Sequence, residues 1–308
     1  MDGQGGGCRL AVIGTPIEHS LSALLHEAVF KETGLPWQTD LVDPGDLEGF
    51  LRLIEDIRSG AAGYSGANIT IPYKKAILPF CDELLAPAQR CGAVNTLLRT
   101  DEGRLIGSNS DSGGFIRALQ SELHINAHHL RSAVICGTGG VAHAVAGALV
   151  TAGVPELVVL SRTQYRAEDF IAELQRSGEN TVWSGAAYHD AFSIMDPEKI
   201  FDLCVNATPL GMLDDTIQEM PKGWLSWLNQ HARSIFDAVY RRNEPTLLVQ
   251  WAHKNNIPAT DGLMMLIEQA IISLRLLGVA TEPDEMRAIM KKAFTDEGIA
   301  RWVTNQGA

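Results

Sequence analysis

The sequence predicts an α/β chain in two parts, an N-terminal part on a mixed sheet and a following part on a doubly wound parallel sheet. Three observations predict it. Short apolar runs alternate with amphipathic stretches along most of the 308 residues. Two runs, Asn95 to Thr100 and Arg104 to Ser108, flank the turn Asp101-Glu102-Gly103 and read as a hairpin. A fresh apolar run from Arg131 to Cys136 ends in a glycine turn and restarts the alternation. The length suits two domains.

Taken in order, Arg9 to Gly14 is a short apolar run closed by glycine, a buried-strand signal. Leu21 to Thr33 has helical spacing and stops at Gly34, with Ser20 or Ser22 as its expected N-cap. Trp37 to Val42 is a strand, Asp46 to Ser59 an amphipathic helix stopped by Gly60, and Ala67 to Ile71 a β-branched strand closed by Pro72. After the hairpin, Asp111 to Leu123 is helical and His124 to Leu130 a polar connector. The second alternation places strands at 131–136, 157–160, near 181–183, at 201–206 and at 234–238. Helices are expected to about Ala152 and near Ala167 to Gln175. Two long helical patterns, Leu263 to Leu277 and Pro283 to Phe294, follow Asp261.

Composition narrows the function classes. With 45% hydrophobic and 20% charged residues, the chain can bury a sizeable core. A net charge of −12 without a Lys/Arg block argues against nucleic-acid binding. Five scattered cysteines without a CxxC pair argue against a disulfide framework and a zinc site, and fit a reducing cytoplasm. His128 and His129 sit in a polar connector, and the nine histidines imply no metal. The Gly-rich Met1 to Gly7 reads as a loose tail and not a signal peptide. Ser132 to Pro155 carries no charge, but its glycines and His143 suit strand, turn and buried helix better than a membrane span. Nothing selects between a monomer and a homodimer.

Gly137-Thr138-Gly139-Gly140-Val141-Ala142 follows a strand and opens a helix, which fits the G-x-G-x-x-G/A fingerprint. The first glycine allows a tight turn, and the second lets a pyrophosphate approach the helix N-terminus. The pattern therefore points to a Rossmann dinucleotide site. The next strand ends in Ser161-Arg162-Thr163, with Arg166 one turn on and no acid before Glu168. Guanidinium groups there suit a ribose 2′-phosphate, and Thr163 offers a hydroxyl, so NADP is expected over NAD.

Further polar residues cluster at strand ends: Gly14 to Ser22, Asn68 to Lys74, Gly92 to Thr96 and Gly107 to Asp111. With the glycine turn, Asn206 to Met212, Asp237 to Tyr240 and Asp261 to Gln269, they occur in the order seen in shikimate dehydrogenases. The chain resembles that family from about Leu10 to Phe294. The resemblance implies reversible hydride transfer between shikimate and 3-dehydroshikimate, in chorismate and aromatic amino-acid biosynthesis. It implies a catalytic Lys74 paired with Asp111. Ser20 and Ser22 would bind the substrate carboxylate, Asn95 a ring hydroxyl, and Thr70, Tyr240 and Gln269 further substrate atoms. Thr208 and Gly262 would join Gly137 to Ala142 and the Ser161, Arg162, Thr163 and Arg166 cluster at the cofactor. Met265 is a further cofactor candidate, with core packing as its alternative. The family's split arrangement implies a substrate domain of residues 1–110 and 261–308 around an NADP-binding domain of 111–260.

A Lys–Asp pair suits the chemistry: oxidising a secondary alcohol requires removing the hydroxyl proton, and one group can exchange it while the other orients it. Which of the two is the base stays open. The chain departs from the family at Ala23, Glu27, Ser110, Ser161 and the segment after Tyr240. Those changes keep quinate or an amino analogue, with NAD, as alternatives, while Ser22 and Thr70 favour shikimate. A non-catalytic metabolite-binding regulator is the reading from another class. Such a protein would not need both Lys74 and Asp111.

Overall fold

Two six-stranded sheets organise the chain in this computed structural model, which describes residues 8–18, 20–175, 180–190, 196–211, 223–241 and 244–295. His19, Met212, Arg242 and Asn243, named among the motifs or near them, lie outside the described residues. By its internal contacts the chain forms two units, Met1–Ser110 with Leu266–Ala308, and Asp111–Met265.

The first unit holds a mixed sheet of order β2-β1-β3-β5-β6-β4. Its strands are β1 (Arg9–Ile13), β2 (Gln38–Val42), β3 (Gly66–Ile69), β4 (Glu83–Leu84), β5 (Thr96–Arg99) and β6 (Leu105–Ser108). β1 runs parallel to β2 and β3, whereas β5 pairs antiparallel with both β3 and β6. Helices α1 (Ser22–Thr33) and α2 (Leu47–Ser59) end at Gly34 and Gly60, both left-handed, so the glycine stops read from the sequence are in place. Asp46 caps α2 by accepting from the Gly49 N–H at 2.8 Å. Ile13, Phe50, Ile54, Ile57, Ile69 and Leu97 form the core beneath.

Two short elements here carry no periodic signal. β4 is two residues long, and α3 (Ala86–Cys91) is six with Pro87 in its first turn. Neither spans enough residues for a period of 2 or 3.6 to register.

The second unit holds a wholly parallel sheet of order β12-β11-β10-β7-β8-β9. Its strands are β7 (Ser132–Cys136), β8 (Glu156–Ser161), β9 (Val182–Ala187), β10 (Leu203–Asn206), β11 (Ile235–Asp237) and β12 (Ala259–Thr260). Helices α4 (Asp111–Leu123), α5 (Gly140–Thr151), α6 (Gln164–Gln175), α7 (Trp224–His231) and α8 (Leu247–Lys254) accompany them. The uncharged stretch from Ser132 is β7, the glycine turn and α5, with Ala142 to Leu149 buried throughout. No helix among the described residues is long and apolar enough to cross a membrane. β9 extends past Trp183 to Ala187, because Gly185 packs on α6, where an added Cβ would meet Ile171 at 2.9 Å. Phe201 forms only an isolated bridge to Ala232, so β10 starts at Leu203.

The helix α9 (Leu263–Leu276) crosses the division of the chain, and α10 (Pro283–Ala293) follows it. Within the first unit α10 packs on α1. Arg287 of α10 pairs with the buried Glu268 of α9 and with Asp284.

Candidate active site

In the first unit, the strand ends bring the polar residues together. β1 and β3 finish level, Ile13 opposite Ile69. Beyond them the Thr70 N–H donates to the Ile13 carbonyl at 2.9 Å and the Thr15 N–H to the Ile71 carbonyl at 3.1 Å. The turn from Gly14 to Ser22 is thus laced to the turn from Thr70 to Lys74. An added Cβ at Gly14 would strike the Thr70 side chain, so this approach requires glycine. The Val94 N–H donates to the Lys74 carbonyl at 2.8 Å, and the Ile69 N–H to the Asn95 carbonyl at 2.8 Å. Lys74 is half-buried beside the buried Tyr73, and Lys75 is exposed. The Tyr73 ring stacks on Phe50 at 4.2 Å, and its hydroxyl lies 2.9 Å from Thr15 Oγ1.

Neither serine of the first turn caps α1. The cap position falls on Leu21, already helical, and no side chain caps it. The Ser22 N–H only reaches Ser20 Oγ at 3.4 Å. Both hydroxyls are therefore surplus to the helix, and both are half-buried.

Asn95 and Gln269 are buried and joined through Ser110. The Ser110 N–H donates to Asn95 Oδ1 at 2.7 Å, Asn95 Nδ2 donates to Ser110 Oγ at 2.9 Å, and that hydroxyl lies 3.3 Å from Gln269 Oε1. Asp111 follows Ser110 in the chain, opens α4 and is buried.

In the second unit, the C-terminal ends of β7, β8 and β10 gather the glycine turn, the arginines and Thr208. The Gly137 N–H donates to the Leu160 carbonyl and the Ala207 N–H to the Cys136 carbonyl, both at 2.8 Å. Gly137 has φ +110°, and a Cβ there would press within 2.7 Å of the Ala207 carbonyl, so the turn requires glycine. Gly139 is the N-cap of α5, no side chain caps that helix, and a Cβ at Gly139 would meet nothing within 4 Å. Open space in front of uncapped backbone donors fits a pyrophosphate. Thr138, Gly140 and Val141 beside it are half-buried, and Ala142 is buried.

Ser161 is buried at the end of β8, donating its hydroxyl to the Thr163 carbonyl at 2.6 Å. Thr163 accepts from the Arg166 N–H at 3.4 Å, a capping contact for α6. Arg162, Thr163 and Arg166 are all exposed, and guanidinium groups so presented fit a phosphate.

Thr208 donates to Asn206 Oδ1 at 2.6 Å, while Asn206 Nδ2 donates to Asp237 Oδ1 at 2.8 Å. Tyr240 follows β11 half-buried. Gly262 donates its N–H to the Val239 carbonyl at 2.9 Å, and a Cβ there would collide with the Ala238 carbonyl. Met265 is buried on α9.

Comparisons with known proteins place the chain in a family. Residues 12–97 match the family model described as the shikimate dehydrogenase substrate binding domain. A shikimate dehydrogenase (NADP(+)) of Methanopyrus kandleri is 37% identical over 290 residues, covering 93% of this chain and 94% of the relative. The chain belongs to the shikimate dehydrogenase family. The Thermus thermophilus shikimate 5-dehydrogenase, solved with NADP(H) and shikimate, superposes with a TM-score of 0.74 at 30% identity, covering 92% of this chain and 99% of that one. A quinate dehydrogenase from Corynebacterium glutamicum, solved with NAD, gives a TM-score of 0.78 at 31% identity, covering 93% and 100%.

Two features of this family member go beyond the site residues read from its sequence. Asp237 is fully buried, and burial pushes its carboxyl up to about 6, with Asp261 adding to the rise and bonds from Thr246, Asn206 and the Val239 N–H opposing it. The second is Ser273, four residues beyond Gln269 and fully buried. Its only sequence signal is a single serine in the apolar run from Ala270 to Leu274.

Proposed function

We propose that this chain is an NADP-dependent shikimate dehydrogenase, interconverting shikimate and 3-dehydroshikimate in aromatic amino-acid biosynthesis. The observation that carries the reading is the end-to-end match to a relative of that name, 37% identical over 93% of the chain. The exposed Arg162 and Arg166 at the end of β8 support NADP over the NAD of the quinate-dehydrogenase neighbour. The unit of residues 1–110 and 266–308 supplies most of the substrate contacts, joined by Asp111 and Tyr240, and 111–265 takes the cofactor.

NADP, when bound, supplies the hydride acceptor at its nicotinamide and the donor in the reverse direction. The chain's own residues do the rest. The backbone N–H groups at the start of α5 hold the pyrophosphate, with Gly139 leaving room for it. Arg162 and Arg166 hold the 2′-phosphate, assisted by Ser161 and Thr163. Thr208, Gly262 and Met265 complete the cofactor contacts. Ser20 and Ser22 donate their hydroxyls to the substrate carboxylate; Thr70, Asn95, Tyr240 and Gln269 bind the ring. Lys74 and Asp111 exchange the proton of the reacting hydroxyl, one moving it and the other orienting it. The carboxylate is bound by neutral hydroxyls, so no basic patch is required. The setting is cytoplasmic, a reading supported by five cysteines that are all free thiols.

The test is direct: purified protein, NADP and shikimate, with NADPH absorbance as readout. Appearance of NADPH supports the assignment. No signal with shikimate, but one with quinate and NAD, would move the chain to the neighbouring activity.

A further inference from the structure

Asn95 and Gln269, the ring contacts proposed above, stand at one end of a line of buried polar groups that reaches Ser273. Ser273 sits on α9 in an apolar stretch, where a lone hydroxyl is costly. It is not alone. Asn68, on β3, donates from Nδ2 to Ser273 Oγ at 2.8 Å, and its Oδ1 lies 3.1 Å from the same hydroxyl. Ser273 Oγ also lies 3.3 Å from the hydroxyl of Thr96, the first residue of β5.

The line continues into the site. Thr96 makes its shortest contact by donating to Asn95 Oδ1 at 2.9 Å, and the Ser110 N–H donates to the same oxygen at 2.7 Å. An amide oxygen has two lone pairs, and these two donors take both. That fixes the flip of the Asn95 carboxamide: the oxygen faces Thr96 and the Ser110 backbone, and the NH2 group donates to Ser110 Oγ at 2.9 Å. Gln269 stands on the same face of α9 as Ser273, four residues earlier. Its Oε1 lies 3.3 Å from Ser110 Oγ, and its Nε2 donates to the Leu266 carbonyl at 2.9 Å.

We propose that Ser273 is a positioning residue for the substrate: by holding Asn68 and Thr96 it sets the Asn95 and Gln269 carboxamides at the spacing that meets neighbouring hydroxyls of one ring. Ser273 pins α9 to the ends of β3 and β5, and Thr96 passes that placement on to the Asn95 oxygen. A site that reads hydroxyls by direction is sensitive to shifts well below an ångström. The proposal rests on the reading of Asn95 and Gln269 as substrate contacts.

The experiment uses Ser273→Ala and Thr96→Val, which remove a hydroxyl with little change of shape, and Thr96→Ser, which keeps it. Steady-state kinetics should show KM for shikimate raised about 2- to 10-fold in the first two, the scale of one neutral hydrogen bond. KM for NADP should stay within about 2-fold of the parent, and Thr96→Ser should return KM for shikimate toward the parental value. The double variant should cost less than the two singles combined, because the two hydroxyls share one contact. In parallel, 15N NMR follows the side-chain carboxamides. In Ser273→Ala the Asn95 and Gln269 signals should move, while that of Asn206 stays in place. Unmoved Asn95 and Gln269 signals overturn the proposal, as does an unchanged KM for shikimate or an equal rise in both Michaelis constants. If the parent turns over no shikimate, the proposed function falls, and the carboxamide signals alone decide the role of Ser273.

Discussion

Lys74 is the residue on which the proposed chemistry depends. Its turn is tied to the body of the first unit by the Val94 bond to its carbonyl, so replacing the side chain leaves the backbone held. Lys74→Ala should keep NADP affinity, measured by fluorescence titration, and lose at least about 100-fold in turnover. Near-parental turnover would remove Lys74 from the mechanism. Asp237 makes a different expectation. Its carboxyl sits at about 6 against an ordinary value of 3.8. Between those values the folded chain binds more protons than the unfolded one, so the contribution of Asp237 to stability is greatest below about pH 4 and falls as pH rises to about 6. The loss is on the order of 3 kcal/mol and is complete above that window. Urea midpoints of the parent and Asp237→Asn, compared across the window, should diverge in slope; parallel curves would contradict it. Lys74 is singled out in the sequence because Pro72-Tyr73-Lys74 repeats a family spacing, and its role remains a proposal. Neither the burial of Asp237 nor the bonds of Ser273 was legible, since both depend on residues distant in sequence.

At the scale of elements, the glycine turn and the β8–α6 junction carry the cofactor reading. Both were readable, because a strand, a glycine fingerprint and a helix start follow one another within a few residues. Arg162→Ala should weaken NADP binding about 10- to 100-fold, the value of a charge-assisted contact, and change NAD binding by less than about 3-fold. Equal losses for both cofactors would show that Arg162 does not read the 2′-phosphate. The packing beneath Lys74 gives a stability test. Phe50 is fully buried and stacked on Tyr73. Phe50→Ala should cost about 3–5 kcal/mol in chemical denaturation, and a loss under about 1 kcal/mol would mean that the site refills. The long elements, α2, α4, α5 and β7 among them, were plain from periodicity and glycine stops. β4 and α3 were not, being shorter than one diagnostic repeat. The N-cap of α1 was misplaced because two serines flank Leu21, and backbone geometry chose the leucine between them.

For the whole molecule, a net charge of −12 opposes the approach of two anionic ligands, a dinucleotide phosphate and a carboxylate. The conflict disappears once charge is read locally. In the proposed reading a helix N-terminus and two exposed arginines would serve one anion, and neutral hydroxyls the other, so the total charge constrains neither. The fold class was legible as a whole, since a mixed sheet and a parallel sheet leave different rhythms in the chain. Substrate choice was legible only through family resemblance: shikimate and quinate differ by little that composition or periodicity can register. The central claim is therefore best tested by kcat/KM for shikimate and for quinate, each with NADP and with NAD. Shikimate with NADP should give the highest of the four values. A highest value for quinate with NAD, or no turnover of shikimate with either cofactor, would contradict it.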